Sequence, residues 1–175
     1  MLYSKFELVK LAVEIASGFE LDPALVCAHI DVRSRWDSGL TLPTATYYSA
    51  PGRSALESEH RSIQWGLMAI GGEFARSQGY IEPLPALLLP LENLREGCRI
   101  LRELCLRHNA MEGKEVQALL RWNSQPDRDL VAEILRKMPS YTELNARIPD
   151  QPRTFPDADK TLLLTHSQIE ENQLL

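Results

Sequence analysis

Cysteine is scarce in this chain. Cys27, Cys98 and Cys105 are an odd number without regular spacing, which excludes a disulfide framework and a four-cysteine metal centre. Cys98 and Cys105 share one helical face, where a rise of about 1.5 Å per residue keeps them about 10 Å apart, beyond disulfide reach. All three read as small buried apolar side chains in a reducing compartment. Positive charge is also short, with 19 Lys and Arg against 24 Asp and Glu for a net charge of −5. That balance argues against an extended phosphate-binding surface and so against a nucleic-acid partner. No apolar run is long enough to span a bilayer, and no membrane partner is expected. Lys5, Glu7 and Lys10 interrupt the first ten residues, which therefore do not read as a secretory signal. On that ground a cytoplasmic location is expected.

What is present suits one soluble globular domain: 175 residues, 44% hydrophobic and 25% charged. A chain of this length buries roughly 70% of its unfolded surface and needs no metal or disulfide staple. Ser4-x-x-Glu7 is a capping box, followed by Leu8, Leu11, Ala12 and Ile15 on one helical face, with Gly18 as the stop. Asp22-Pro23 starts a second helix that continues from Ala24 to Ser34. Residues 36–64 carry Gly39, Pro43, Pro51 and Gly52 and favour turns and a short hairpin, the one expected β region. Trp65 to Gln78 reads as apolar and then helical, closed by Gly79. Leu91 to His108 has the clearest amphipathic face, formed by Leu94, Gly97, Cys98, Leu101, Leu104 and Cys105. Glu115 to Trp122 and Leu130 to Met138 give two shorter helices, the second ended by Pro139. Prolines between 149 and 156 mark an extended linker, beyond which Leu162-Leu163-Leu164, Ile169, Leu174 and Leu175 form a small apolar tail.

Four strings carry a resemblance. Leu21-Asp22-Pro23-Ala24-Leu25-Val26-Cys27-Ala28, followed by Arg33-Ser34-Arg35-Trp36-Asp37, resembles the entry helix and active-site string of the soluble lytic transglycosylase domain. Gly66-Leu67-Met68-Ala69-Ile70 is similar to that family's Gly-Leu-Met-Gln segment. Leu91-Glu92-Asn93-Leu94, with Gly97 and Leu101, is similar to its Pro-Glu-x-Asn-Ile helix, and Trp122-Asn123-Ser124 stands where the family has Tyr-Asn-Ala-Gly. The strings occur in family order and cover roughly residues 10 to 140.

The resemblance implies a mainly α, lysozyme-like helical domain over residues 1–146, with a short irregular or β segment, and a proline-containing linker and tail over 147–175. It implies a groove for the peptidoglycan glycan strand, with Arg33, Ser34, Gly66, Leu67, Met68, Trp122 and Asn123 as the substrate-binding positions. No cofactor and no metal is expected, and none of His29, His60, His108 and His166 has ligand spacing. They read as partly buried or surface histidines. In the family one glutamate protonates the glycosidic oxygen and then helps the sugar's own 6-hydroxyl close an anhydro ring, which needs a raised carboxyl pKa. Here Arg33 occupies that position, and a guanidinium cannot serve as the acid. Ala69 replaces the family's sugar-contacting Gln. The expectation is an impaired or inactive enzyme, a pseudoenzyme acting as a binding or structural module.

The alternative is an active lytic transglycosylase or muramidase with a relocated acid. Goose-type lysozymes carry supporting acids in their β region, which makes Glu57 and Glu59 the candidate catalytic rescuers, with Asp37 at the helix exit. Asp31, two residues before Arg33, should point away from the groove. The preferred competing reading of Ser58-Glu59-His60-Arg61 is a solvated loop with exposed charges. A third reading is a phage-tail, virion or secretion-system component. There the tail either docks on a protein partner or folds back on its own domain.

Overall fold

Ser4 opens the first helix of the computed structural model, which describes residues 3–108, 113–124 and 126–146. Its hydroxyl accepts from the Glu7 amide while the Glu7 carboxylate accepts from the Ser4 amide at 2.7 Å, so the capping box forms from both sides. Helix α1 runs Lys5–Gly18 and α2 runs Pro23–Arg33, with the Asp22 side chain accepting from the Ala24 amide. Every residue of α2 from Ala24 to Ile30 is buried, as expected of a helix covered on all sides. Helix α1 packs on one flank of α2, and α7, Arg128–Asn145, lies along another. Helices α5, Pro90–Arg107, and α6, Lys114–Arg121, complete the helical body. The described chain is mainly helical. The expected linker and tail, 147–175, lie outside the described residues.

Between α2 and α5 the chain departs from the helical plan. Strands β1, Thr41–Pro43, β2, Ile63–Trp65, and β3, Ile70–Gly71, form an antiparallel sheet in that order, with Thr41 opposite Trp65 and Trp65 opposite Ile70. The expected hairpin region is therefore wider than residues 36–64. It also contains a helix, α3, Ala55–Arg61, started by Ser54 accepting from the Glu57 amide. Ser58 to Arg61 is thus helical rather than a loop, and Ser58 is buried. Conversely, Trp65 to Gln78 does not wind directly into a helix: only α4, Gly72–Ser77, does. Gly66 and Ala69 both take left-handed backbone, at φ 64° and 48°, which no α-helix accommodates. Gly66 is required here, because a Cβ would run into the Leu87 carbonyl oxygen and the Asn93 side chain.

Pro139 lies inside α7 rather than ending it. Its ring is solvent-exposed and so is Leu135, whose carbonyl loses its helical donor. Beyond it, buried Tyr141 accepts a 2.9 Å hydrogen bond from the Trp36 indole N–H, anchoring the last turns of α7 to the exit of α2. Tertiary packing outweighs the local break. No helix among the described residues is long and apolar enough to cross a membrane.

Because α7 carries the proline without using it as a stop, Pro139→Ala is expected to stabilise the fold by about 1–3 kcal/mol, the scale of the interior-proline penalty. Urea denaturation measures this, and a lower midpoint in the variant would mean that the proline helps to position Tyr141.

Candidate functional site

Two of the strings that carry the resemblance, with His29 of α2, meet around one segment, Trp65 to Gly71, which holds a third. This segment is buried, and its turn leaves backbone groups that neither helix nor sheet can satisfy. Asn93, wholly buried in the first turn of α5, supplies the partners. Its amide nitrogen donates to the Trp65 carbonyl at 2.9 Å and the Leu87 carbonyl at 2.8 Å, and its oxygen accepts from the Met68 amide at 2.8 Å. Gly97, one turn further along α5, faces Met68 so closely that a Cβ would strike the sulfur.

Asn123 holds the other end of the segment. It takes left-handed backbone at φ 55°, a conformation Asn tolerates, after α6 ends. Its side chain acts as a strand edge rather than as a helix cap. The oxygen accepts from the Gly71 amide and the nitrogen donates to the Ala69 carbonyl, both at 2.9 Å. From the third side, His29 of α2 meets the Met68 carbonyl through Nε2 at 3.3 Å. A carbonyl only accepts, so Nε2 carries the proton and Nδ1 keeps a lone pair. The His29 ring packs edge-on against Trp122 at 4.7 Å, and Phe74 adds to that cluster at 5.7 Å. His29 is completely buried, contrary to the expected partly buried or surface position. Burial, then the nearby Arg33 cation, lowers its pKa to about 3.

This packing buries most of the positions expected to bind substrate. Leu67 and Met68 are fully buried and Gly66 is buried with them, because the apolar turn is drawn into the core. Their contribution to a ligand is limited to holding the backbone. Trp122 is 2% exposed. Ser34 is buried, its hydroxyl donating back to the Ile30 carbonyl at 3.1 Å as α2 ends. Ala69, at the position of the family's Gln, has a buried side chain as well as a short one. Of the expected contact residues, Arg33 and Asn123 are half-buried and retain accessible surface.

Arg33 is the last residue of α2 and stands one turn after His29 on the same face. Burial draws its pKa down to about 10, partly countered by Asp127, so it stays cationic at neutral pH. Two consecutive left-handed residues follow, Arg35 at φ 54° and Trp36 at φ 69°. They turn the chain sharply so that the Trp36 indole enters the core. The chain leaves α2 immediately beyond Arg33 as a result.

None of the candidate acids has the environment of a proton donor to a glycosidic oxygen. Glu57 accepts from Arg76 Nε at 2.9 Å and from Arg61 Nε at 2.8 Å. Arg76 first, then Arg61, holds its pKa down to about 2, the opposite of what an acid catalyst needs. Arg61 also pairs with Glu73 at 3.0 Å, and Arg53 stands 3.8 Å from the same carboxylate, so both glutamates of the cluster are paired. Glu59 is exposed on α3, and Asp37 is exposed with one oxygen accepting from the Gly39 amide. Asp31 faces α1 and α7, paired with Lys137 at 2.6 Å and Lys5 at 3.9 Å, as its position on the helix predicts. Two residues escaped the expected site. His29 was legible only in its i, i+4 spacing to Arg33. The role of Asn93 was signalled by a polar side chain on the core side of the most amphipathic helix.

Asn93→Ala removes three buried hydrogen bonds at once and orphans backbone groups, so a loss of about 3 kcal/mol or more is expected in urea unfolding. Acid should act on this region in two windows. Unfolded His29 takes up a proton below its ordinary 6.5, whereas folded His29 does so only near 3. Its contribution is therefore complete above pH 6.5 and declines as pH falls toward 3. Glu57 adds a second decline between its ordinary 4.5 and about 2. Urea midpoints measured against pH should fall less steeply below pH 6.5 in His29→Gln than in the parent. Identical slopes would mean that His29 is protonated within the fold.

No family model, curated protein or solved structure matches this chain.

Proposed function

We propose that this chain is a lysozyme-like, lytic-transglycosylase-type domain that recognises the peptidoglycan glycan strand without cleaving it. The observation that carries this reading is convergence. Four strings far apart in sequence resemble one family; Asn93 of the third, Asn123 of the fourth and His29, on the helix that bears the first, meet at the Trp65–Gly71 segment, which contains the second. His29 bonds Met68, Asn93 bonds Trp65 and Met68, and Asn123 bonds Ala69 and Gly71. Similarity arising separately in each string has no reason to assemble into one knot of side-chain-to-backbone bonds.

Loss of catalysis is supported by the local charges. Arg33 stands at the acid position, Glu57 is held as a carboxylate by two arginines, and Glu59 and Asp37 are exposed to solvent. A missing acid/base forfeits about 10²- to 10⁴-fold in rate, and a cation is unfavourable beside an oxocarbenium-like transition state.

Purified full-length protein incubated with insoluble sacculi is expected to co-sediment saturably, without clearing turbidity and without releasing anhydro-muropeptides. Robust clearing that Glu59→Gln abolishes and Arg33→Ala spares would overturn the inactive assignment. Absence of binding to sacculi would overturn the recognition itself.

A further inference from the structure

Arg33 differs from every other half-buried arginine among the described residues. Arg53, Arg61, Arg76, Arg99 and Arg102 each form an ion pair with a glutamate. Arg33 forms none, and its buried Nε has no hydrogen-bond partner. Asp127 influences its charge through space, but one oxygen of that carboxylate accepts from the Leu130 amide as the cap of α7. A partly desolvated guanidinium without a carboxylate is unfavourable, and chains retain one where something external completes it.

Two further nitrogens have no hydrogen-bond partner among the described residues, one on His29, a helical turn before Arg33, and one on Trp122, whose ring touches His29. The Trp122 indole N–H is a donor on a side chain 2% exposed, and His29 Nδ1 is an acceptor on a side chain 0% exposed. The two rings touch at 4.7 Å, and His29 precedes Arg33 by one helical turn. The corner thus combines a fixed positive charge and a buried neutral donor, both suited to an anion, with a lone pair that takes a hydroxyl or amide donor of the same ligand rather than its carboxylate. Buried polar groups left unpaired in this way require a partner. A guanidinium fork matches a carboxylate more closely than any neutral sugar hydroxyl.

We propose that the corner formed by Arg33, Trp122 and His29 is a carboxylate-recognition subsite, in which Arg33 reads an acidic substituent on the glycan strand instead of protonating its bridging oxygen. This rests on the glycan-strand reading given above. Every second sugar of that strand carries a lactyl group, whose carboxylate is free where no peptide is attached and is an amide where one is. Carboxylates of the peptide itself are the other source of the same chemistry. A site of this kind distinguishes strands by their acidic substituents, which the neutral sugar backbone does not report.

Titration calorimetry on the full chain separates these sources. The ligands are neutral chitotetraose, the four-sugar strand with free lactyl carboxylates, the same strand with those groups converted to primary amides, and the strand bearing peptides. The free acid is expected to bind about tenfold or more tightly than the primary amide or chitotetraose, the scale of a charge-assisted hydrogen bond. That advantage should shrink with added salt, disappear in Arg33→Gln and recover only in part in Arg33→Lys. Tight binding of the peptide-bearing strand, with weak binding of the other three, would assign the carboxylate to the peptide and support the subsite. Trp122→Phe keeps a ring but removes the indole donor and should weaken the charged ligand more than the neutral one.

The comparison among ligands uses the unmodified protein, so it remains decisive if a variant fails to fold. Equal affinity for all four ligands would overturn the subsite while leaving glycan recognition standing. Failure of all four to bind would overturn both.

Discussion

The structure of the site depends on one buried side-chain amide. Asn93 satisfies two backbone groups of a segment that cannot satisfy them itself, because the left-handed residues Gly66 and Ala69 prevent a helix and β3 is only two residues long, and it ties that segment to the Leu87 carbonyl. Each such group left unpaired costs about 1–3 kcal/mol, so the turn is only as secure as the amide that serves it. The amide is in turn fixed by α5, whose apolar face places Asn93 and Gly97 against Met68. A turn with almost no regular bonding of its own thereby takes its shape from a long helix. Asn123 repeats the arrangement at the half-exposed end, where it replaces a missing strand edge.

Given that rigid turn, charge decides what the surroundings can do. On the α3–α4 side, Arg53, Arg61 and Arg76 meet Glu57 and Glu73, each carboxylate pairs with two arginines, and Glu57 is held in its anionic form. Such a cluster stabilises and does no proton chemistry. At the exit of α2 the reverse holds. Arg33 carries its charge into partial burial beside a neutral imidazole and an indole, with no carboxylate in contact among the described residues. On one side of the region the arginines are paired with glutamates, and on the other Arg33 forms no ion pair among the described residues. An anion-binding role and a proton-donating role make opposite demands on the same position, and the guanidinium meets only the first.

Helix starts were legible where chemistry was local. The Ser4 box, the Asp22-Pro23 start and the amphipathic face of α5 all form as their residues dictate. Local reasoning failed where packing outweighed it. Pro139 sits within α7 because Tyr141, held by Trp36, keeps the helix winding beyond it. Ser58–Arg61 is helical because Ser54 caps it and the Arg61–Glu57 pair spans one turn of it. Trp65–Gln78 is apolar and then helical as read, but hydrophobic content alone does not reveal a left-handed Ala69 or the asparagines that sustain it.

The amino-acid sequence by itself determined the mainly helical class, the order of the long helices and the arrival of a guanidinium at the end of α2, since caps, periodicity and residue identity act over a few positions. Only the tertiary structure decided that Leu67, Met68, Ser34 and Trp122 face inward while Arg33 keeps accessible surface, and that Glu57 is bound by arginines from two helices. Those outcomes depend on residues separated by up to about a hundred positions meeting in space, where burial and pairing set the energy of each group. Local spacing carries no record of such neighbours.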